Sequence, residues 1–326
     1  MPPRPDAVPG GGPDPVLAEA EAELAADLAA LAPPSPPRRA ARLRALLGPL
    51  AILVGILVVW QTGKWLGGDP WRVDSIFGIP VSIEHFPPFD WAVFSDLKLP
   101  HLWVIGEAFF QADLAGTPRW VALLGAALFT FAGAFVGFAL GAGVGLGLAV
   151  LLLRARLLER SLVPLLVASQ TVPIVAVAPV IVVGLKAGWF GIAIVAGYLT
   201  FFPVTVAALR GMRAADPRAF ELMRSYAATD RDVLVKLRLP AATPFLFTAF
   251  KVAATASVVG AIVGELPSGI RAGLAGQLLG AMQYYSIQPG ALWAAIVACS
   301  FLGIACFAAV VLVERRILRD HRPSEA

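Results

Sequence analysis

The feature that most constrains this chain is a recurrence of apolar runs, each about 20 residues long or more and so able to cross a bilayer, bordered by short clusters of basic residues. The runs fall at about 46–66, 121–153, 162–185, 190–209, 244–263 and 291–313. The clusters are Arg38, Arg39, Arg42 and Arg44; Arg154, Arg156 and Arg160; Arg210, Arg213, Arg218, Arg224, Arg231, Lys236 and Arg238; and Arg315, Arg316, Arg319 and Arg322. Six crossings put every cluster on one face. Because Lys and Arg accumulate on the cytoplasmic side of a membrane, both termini are expected in the cytoplasm and the chain in the inner (plasma) membrane. Charged residues make up only 15% of the chain and apolar ones 58%, against about a quarter charged in soluble domains. Lipid is therefore the solvent of the fold, and one membrane domain is expected.

The net charge of +4 does not indicate a nucleic-acid partner, since the basic residues sit between apolar runs where they set orientation. Cys299 and Cys306 are two helical turns apart in one run, about 10 Å along the axis, too far to bridge. They read as small apolar residues.

Residues 1–40, rich in Pro, Gly and Ala with an acidic stretch from Glu19 to Asp27, read as a disordered cytoplasmic tail. The segment 41–120 holds the first crossing and an external loop. In that loop acids outnumber bases, aromatics and prolines are frequent, and an interfacial helix is expected near 99–112. Residues 121–318 form the core of the membrane domain and 319–326 a cytoplasmic tail. The run at 121–153 is too long to stand upright, so its first turns lie at the interface or tilt. Pro164, Pro173 and Pro179 predict that the third crossing is kinked or broken.

Between the fourth and fifth crossings, residues 210–243 read as two short helices. Asp216 followed by Pro217 is an N-cap and first-position pair, and Phe220, Met223 and Ala227 share one face. Thr229 with Asp232 opens a second helix as a capping box, expected to end at Leu239-Pro240. Such a hairpin is shaped to press on a partner; the plainer alternative is a solvated loop that only fixes topology.

Gly133, Gly137, Gly141 and Gly145 place a small-residue stripe on one helix face, a sign of close helix packing. Glu265, an acid ending an apolar run, must be paired or wet, either capping the following segment or lining a pathway. That segment, with Gln277, Gln283, Tyr284, Tyr285 and Gln288, suits a re-entrant gate or a docking surface, and equally an interfacial loop. Gln170, Glu265, Gln283 and Tyr284 are the candidate pathway or gate residues. Catalysis has no foothold: the three histidines, His85, His101 and His321, form no metal motif, and neither a nucleophile elbow nor a phosphate-binding loop is present. No catalytic residue, metal or cofactor is expected.

The stretch FPVTVAALRGMRAADPRAFELMRSYAATDRDVLVKLRLP, from Phe202 to Pro240, resembles the cytoplasmic signature loop of binding-protein-dependent ABC importer permeases, E-A-A, three residues, G, then a spacer ending in L-P. Glu221 takes the acidic position, Leu222 and Met223 replace the two alanines, Ala227 replaces the glycine, and Leu239-Pro240 closes the motif. The resemblance covers about 120–318, including SQTVPIVAVAPVIVVGL at 169–185. It is closest to the nitrate, sulfonate and taurine branch, which includes permeases for pyrimidine precursors of thiamine. The run from Ser169 to Pro173 is similar to those.

The resemblance implies an all-α bundle of six transmembrane helices with a cytoplasmic coupling helix, working as a homodimer. It implies a separate ABC ATPase under each copy and a periplasmic or lipid-anchored solute-binding protein above. Glu221, Leu222, Met223, Arg224, Ala227, Leu239 and Pro240 would then couple the spans to ATP hydrolysis in the partner. Glycine at the position of Ala227 usually permits a sharp bend; alanine can stay helical, which moves the expected bend to Ala228-Thr229. A stand-alone secondary transporter or channel, or an intramembrane enzyme, would need mid-membrane ionisable residues with internal repeats or a reactive constellation, and this reading locates none.

Overall fold

An apolar run in lipid must satisfy its backbone internally, and helix is what these runs form. The computed structural model describes residues 38–76, 79–112, 116–184, 186 and 188–319. The expectations for residues 1–37, His321, Arg322 and the final tail fall outside them. Two compact units divide the chain inside its first helix, at Thr62 and Gly63. Helix α1, Arg38–Gly67, carries the first crossing over Leu47–Gly67, and its apolar side chains Ile52, Ile56 and Val59 are exposed as lipid-facing residues would be.

Within the second unit a small hairpin follows, β1 (Trp71–Ile76) and β2 (Ile79–His85), antiparallel with Trp71 opposite His85 and a bulge between Val73 and Ser75. The loop reading contains no strand; the alternating Val73, Ser75 and Ile79, Val81, Ile83 were masked by the charges and prolines around them. Arg72 and Glu84 pair across the hairpin at 2.8 Å. A helix, α2, Leu102–Phe110, forms within the segment 99–112 where one is expected.

The hairpin is held by an aromatic and charged cluster. Trp65 stacks on His85 at 4.9 Å, and Trp71 touches His85, His101 and Trp103. His101 stacks on Trp103 at 4.0 Å. The fully buried Lys64 donates to the carbonyl of Phe94 at 3.0 Å and pairs with Asp96. Burial, then the nearby charge of Lys64, then that of His85, hold the His101 imidazole well down, at about 3. Its unfolded value is near 6.5, so a proton binds the unfolded segment more readily, and the stability from neutral His101 is complete above 6.5 and lost as pH falls toward 3. The emission of the clustered tryptophans should therefore shift over that window in the wild type, with a smaller shift in His101→Phe.

Helix α3, Arg119–Arg154, is 36 residues long, about 54 Å where the hydrocarbon layer is about 30 Å. One face of its first turns is covered: Arg119 is 8% exposed and donates to the carbonyl of Ala108 in α2 at 2.7 Å and to Gln288 at 3.1 Å, while Trp120, Val121 and Leu124 stay exposed. Next come α4 (Arg156–Ser169) and α5 (Ile174–Pro179), the latter prolonged by a π-helical turn, Val180–Gly184. The two meet at 89°. The predicted break is thus real and lies at Pro173, which sits at the N-cap of α5, whereas Pro164 is tolerated inside α4. Helix α6 is Gly188–Arg213.

α3 and α6 run parallel. Gly133, Gly141 and Gly145 face Ile192, Gly197 and Phe201 in step, and a Cβ on Gly141 would lie 2.4 Å from the Gly197 carbonyl oxygen. The glycine stripe is a packing device, as expected. After the loop helices α7 (Pro217–Ser225) and α8 (Asp230–Asp232), a π-helical segment, Val233–Arg238, leads into α9, Leu239–Glu265, which lies antiparallel to α6 with Ala242 against Gly211 and Gly260 against Ala196. Helices α10, Leu274–Gln283, and α11, Pro289–Arg319, complete the chain. Lys251, overlooked among the apolar residues of the fifth crossing, lies within α9 and is neutralised by Glu314 of α11 at 2.7 Å. Cys299 and Cys306 pack half-buried against the core that Leu123, Ala134, Ile192, Val258, Leu274 and Leu302 form.

Among the described residues five helices are long and apolar enough to span a membrane, and six if α4 and α5 count as one broken span. The second unit therefore has two ends: one carries the hairpin, α2 and α10; the other carries α7, α8 and the start of α9.

Candidate coupling loop and gate segment

The loop end is built on a solid base. Ala149, Leu152, Ala208, Leu209, Met212 and Ala242 form a buried cluster, and Leu234 and Leu239 of the loop pack against it. Asp216 caps α7 as predicted, its Oδ1 accepting from the Arg218 amide at 2.9 Å with Pro217 in the first turn. Phe220 is tied to the next segment by the Arg238 guanidinium, 4.9 Å from its ring centre. The loop is thus folded and anchored to the bundle, with its helices on the surface.

With Phe220 turned inward, α7 presents the opposite face. Glu221, Leu222 and Arg224 are exposed, Met223 is half-buried, and Leu222 keeps 58% of its surface. Tyr226, 78% exposed, adds an aromatic that motif alignment passed over; the signal available was a tyrosine placed just before the expected bend.

The bend itself corrects the sequence reading. Ala227 does not stay helical: its φ is +50°. The amide of Ala228 donates to the Met223 carbonyl at 3.0 Å and that of Ala227 to the Arg224 carbonyl at 2.9 Å, the bond pair of a Schellman helix end, whose C′ residue is left-handed. The orphan carbonyls of α7 require that geometry, and alanine adopts it at a cost of about 1 kcal/mol or more relative to glycine. Ala227→Gly is expected to raise the stability of the loop by about that amount, read as slower amide exchange across 222–228 with no change in the membrane helices.

A second correction concerns Leu239-Pro240. Thr229 and Asp232 do form the predicted capping box, and Lys236 pairs with Asp232 at 2.6 Å, but the helix that they open does not stop there. It continues without interruption from Asp230 to Glu265. Pro240 cannot donate to a carbonyl one turn back, and the widened turn before it absorbs the misfit: the Leu239 amide reaches Leu234, five residues back. Leu239-Pro240 is a joint rather than an end.

At the opposite end, Glu265 is buried at 1% exposure and its Oε2 accepts from the Ala275 amide at 3.0 Å, while Thr130 Oγ1 accepts from the Leu274 amide at 2.9 Å. Glu265 and Thr130 together cap α10, binding it to α9 and α3. Tyr284, at the end of α10, joins Arg119, Arg271, Gln277 and Gln288 around a cavity of about 390 Å³. Glu265 lines a smaller neighbouring cavity of about 80 Å³ that shares Arg271 and Gly276. Gln283 is exposed beside Tyr284, whereas Gln170 lies apart, exposed at the α4–α5 break. There Tyr198 of α6 donates to the Ser169 carbonyl. Thr130, Tyr198 and Arg119 escaped the sequence reading because their partners lie far along the chain, Gln288 being 169 residues from Arg119, and Arg271 because only the fold brings it to the same cavity as Arg119.

Residues 137–319 match the family described as binding-protein-dependent transport system inner membrane component. The chain belongs to this family. As a permease of that kind it is a subunit of an ABC importer in the inner membrane, and the family implies ATPase and solute-binding partners. The formylaminopyrimidine transport permease protein ThiX of Halalkalibacterium halodurans is 36% identical over 277 residues, 83% of this chain and 95% of its own. The riboflavin transport system permease protein RibX of Chloroflexus aurantiacus is 28% identical over 273 residues, 84% of this permease and 90% of its own length. The crystal structure of an amino acid ABC transporter with histidines shares the fold, with a TM-score of 0.51 at 17% identity, covering 63% of the permease and 99% of that chain.

Proposed function

We propose that the permease imports a small polar solute, with a formylated aminopyrimidine the first to test, and that α7 carries the stroke from a cytoplasmic ATPase to the spans. The observation behind the second part is the folded loop, whose exposed Glu221, Leu222, Arg224 and Tyr226 stand on a hairpin anchored to α3, α6 and α9. The choice of solute rests on the likeness to ThiX across most of the chain and on the run from Ser169 to Pro173; a sulfonate, taurine or nitrate is the competing cargo. Both termini and the loop end face the cytoplasm in this reading, since Arg154, Arg210, Arg213, Arg315 and Arg316 gather there. The hairpin end faces outward, where the solute-binding protein docks. Two copies form the pathway, with α10 held by Glu265 and Thr130 beside it and Gln170, Gln283 and Tyr284 as gate residues.

Gentle solubilisation with crosslinking should recover an ATPase subunit with the permease, and the reconstituted complex should take up labelled formylaminopyrimidine ahead of riboflavin or taurine. Recovery of the permease without an ATPase would remove the coupling reading. Uptake that prefers a sulfonate would replace the solute.

A further inference from the structure

The loop end holds a cavity of about 810 Å³ lined by Leu153, Val163, Pro164, Phe220 and four charged groups, Glu159, Arg160, Arg213 and Arg238. One of the three guanidiniums is already matched: Arg213 Nη1 donates to Glu159 Oε1 at 2.6 Å, and its Nη2 to Oε2. Arg238 is steadied over the Phe220 ring, a contact that leaves its charge in place. Arg160 is exposed on α4. Three positive charges against one negative leave a surplus of two in the cavity.

The depth of this cavity narrows the choice of ligand. Its walls come from the last turn of α3, the end of α6 and the first turns of α4, where the apolar runs give way to Arg154 and Arg213. In the six-crossing topology that level falls where hydrocarbon gives way to headgroups. One wall is aliphatic, and α4 also bears Leu157 and Leu165 with 77% and 65% of their surface exposed. The volume falls in the roughly 300–1,000 Å³ range of sites for small organic ligands, more than a bare phosphate fills. Basic pockets between spans on the cytoplasmic side recognise anionic headgroups by charge, which Lys and Arg both supply.

We propose that this cavity binds the headgroup of an anionic phospholipid, its phosphodiesters on Arg160 and Arg238 and its acyl chains along α4. The lipid would bridge α4 to the α7 hairpin through Arg238 and Phe220. Binding depends only on the membrane location; any effect on transport also rests on the coupling role given to α7.

The test uses the full-length permease, stripped of lipid in detergent and reloaded with cardiolipin or with phosphatidylcholine, and reads lipid adducts by native mass spectrometry. Cardiolipin should be retained and phosphatidylcholine lost. In Arg160→Gln/Arg238→Gln retention should fall about thirtyfold, the loss expected for two basic residues at a charged membrane surface, while Arg160→Lys/Arg238→Lys keeps most of it. Thermal melting of both variants controls for folding, and the lysine pair keeps the test decisive if the glutamine pair does not fold. Equal retention of both lipids, or unchanged cardiolipin retention in a folded glutamine variant, would overturn the proposal, as would loss of cardiolipin from the lysine pair. Displacement of cardiolipin by millimolar inorganic phosphate would equally overturn it, making the cavity a site for soluble phosphate. A failure of ATPase coupling alone would leave the adduct pattern intact.

Discussion

Gly141→Val should dismantle the bundle. The Cβ it introduces would start 2.4 Å from the Gly197 carbonyl oxygen and 2.7 Å from Thr200 Cβ, and the first of these is backbone that no rotamer change can move aside. Relief requires α3 and α6 to separate over several turns, undoing contacts at Gly137 and Gly145 as well. Overpacking in a well-packed interior costs about 1–3 kcal/mol, and here the cost is expected at or above the upper figure because two helix backbones must move. The variant should melt far below the wild type in detergent, or fail to yield a monodisperse species. Gly143→Val is the control: its Cβ meets nothing within 4 Å, and it should melt with the wild type. Equal behaviour of the two variants would refute the packing account.

The other large effect is expected at Glu221. If α7 seats in an ATPase cleft, Glu221→Arg replaces an exposed negative charge with a positive one at the contact. Opposite charges about 4 Å apart at a protein surface interact by roughly 4 kcal/mol before desolvation is counted, so reversal should abolish solute-stimulated ATP hydrolysis. Melting should not change, since the side chain is exposed. Glu221→Gln should fall between. Stimulation that survives the reversal would remove α7 from the coupling path and leave the family assignment untouched.

What the sequence disclosed follows the range of the forces involved. The spans could be read because each satisfies its backbone within itself and needs only an apolar run of sufficient length, so α1, α3, α6, α9 and α11 all lie where the runs do. The break at Pro173 was readable for a similar reason, a missing amide being a local fact. The β1–β2 hairpin was not, because its strands are short and their stability comes from Trp65, Trp71, His101 and Trp103, gathered from separate segments. Leu239-Pro240 misled because a proline stops a helix only when nothing upstream can widen to receive it. Ala227 misled because propensity favours helix for alanine, while the carbonyls at the end of α7 required a left-handed residue. Around α10, Glu265 was visible as a cost without its remedy, the amide of Ala275 and the neighbouring cap from Thr130.

The glycine contact between α3 and α6 bears on how such a bundle can move. Helices separated by side chains slide, because rotamers yield. Helices whose backbones touch cannot, since shear in either direction drives Cα against carbonyl. α3, α6 and the antiparallel α9 are therefore expected to move together as one girder. Whatever strain reaches the girder from the α7 hairpin has to emerge where the chain is already jointed, at the right-angled elbow between α4 and α5 that Tyr198 fastens to it.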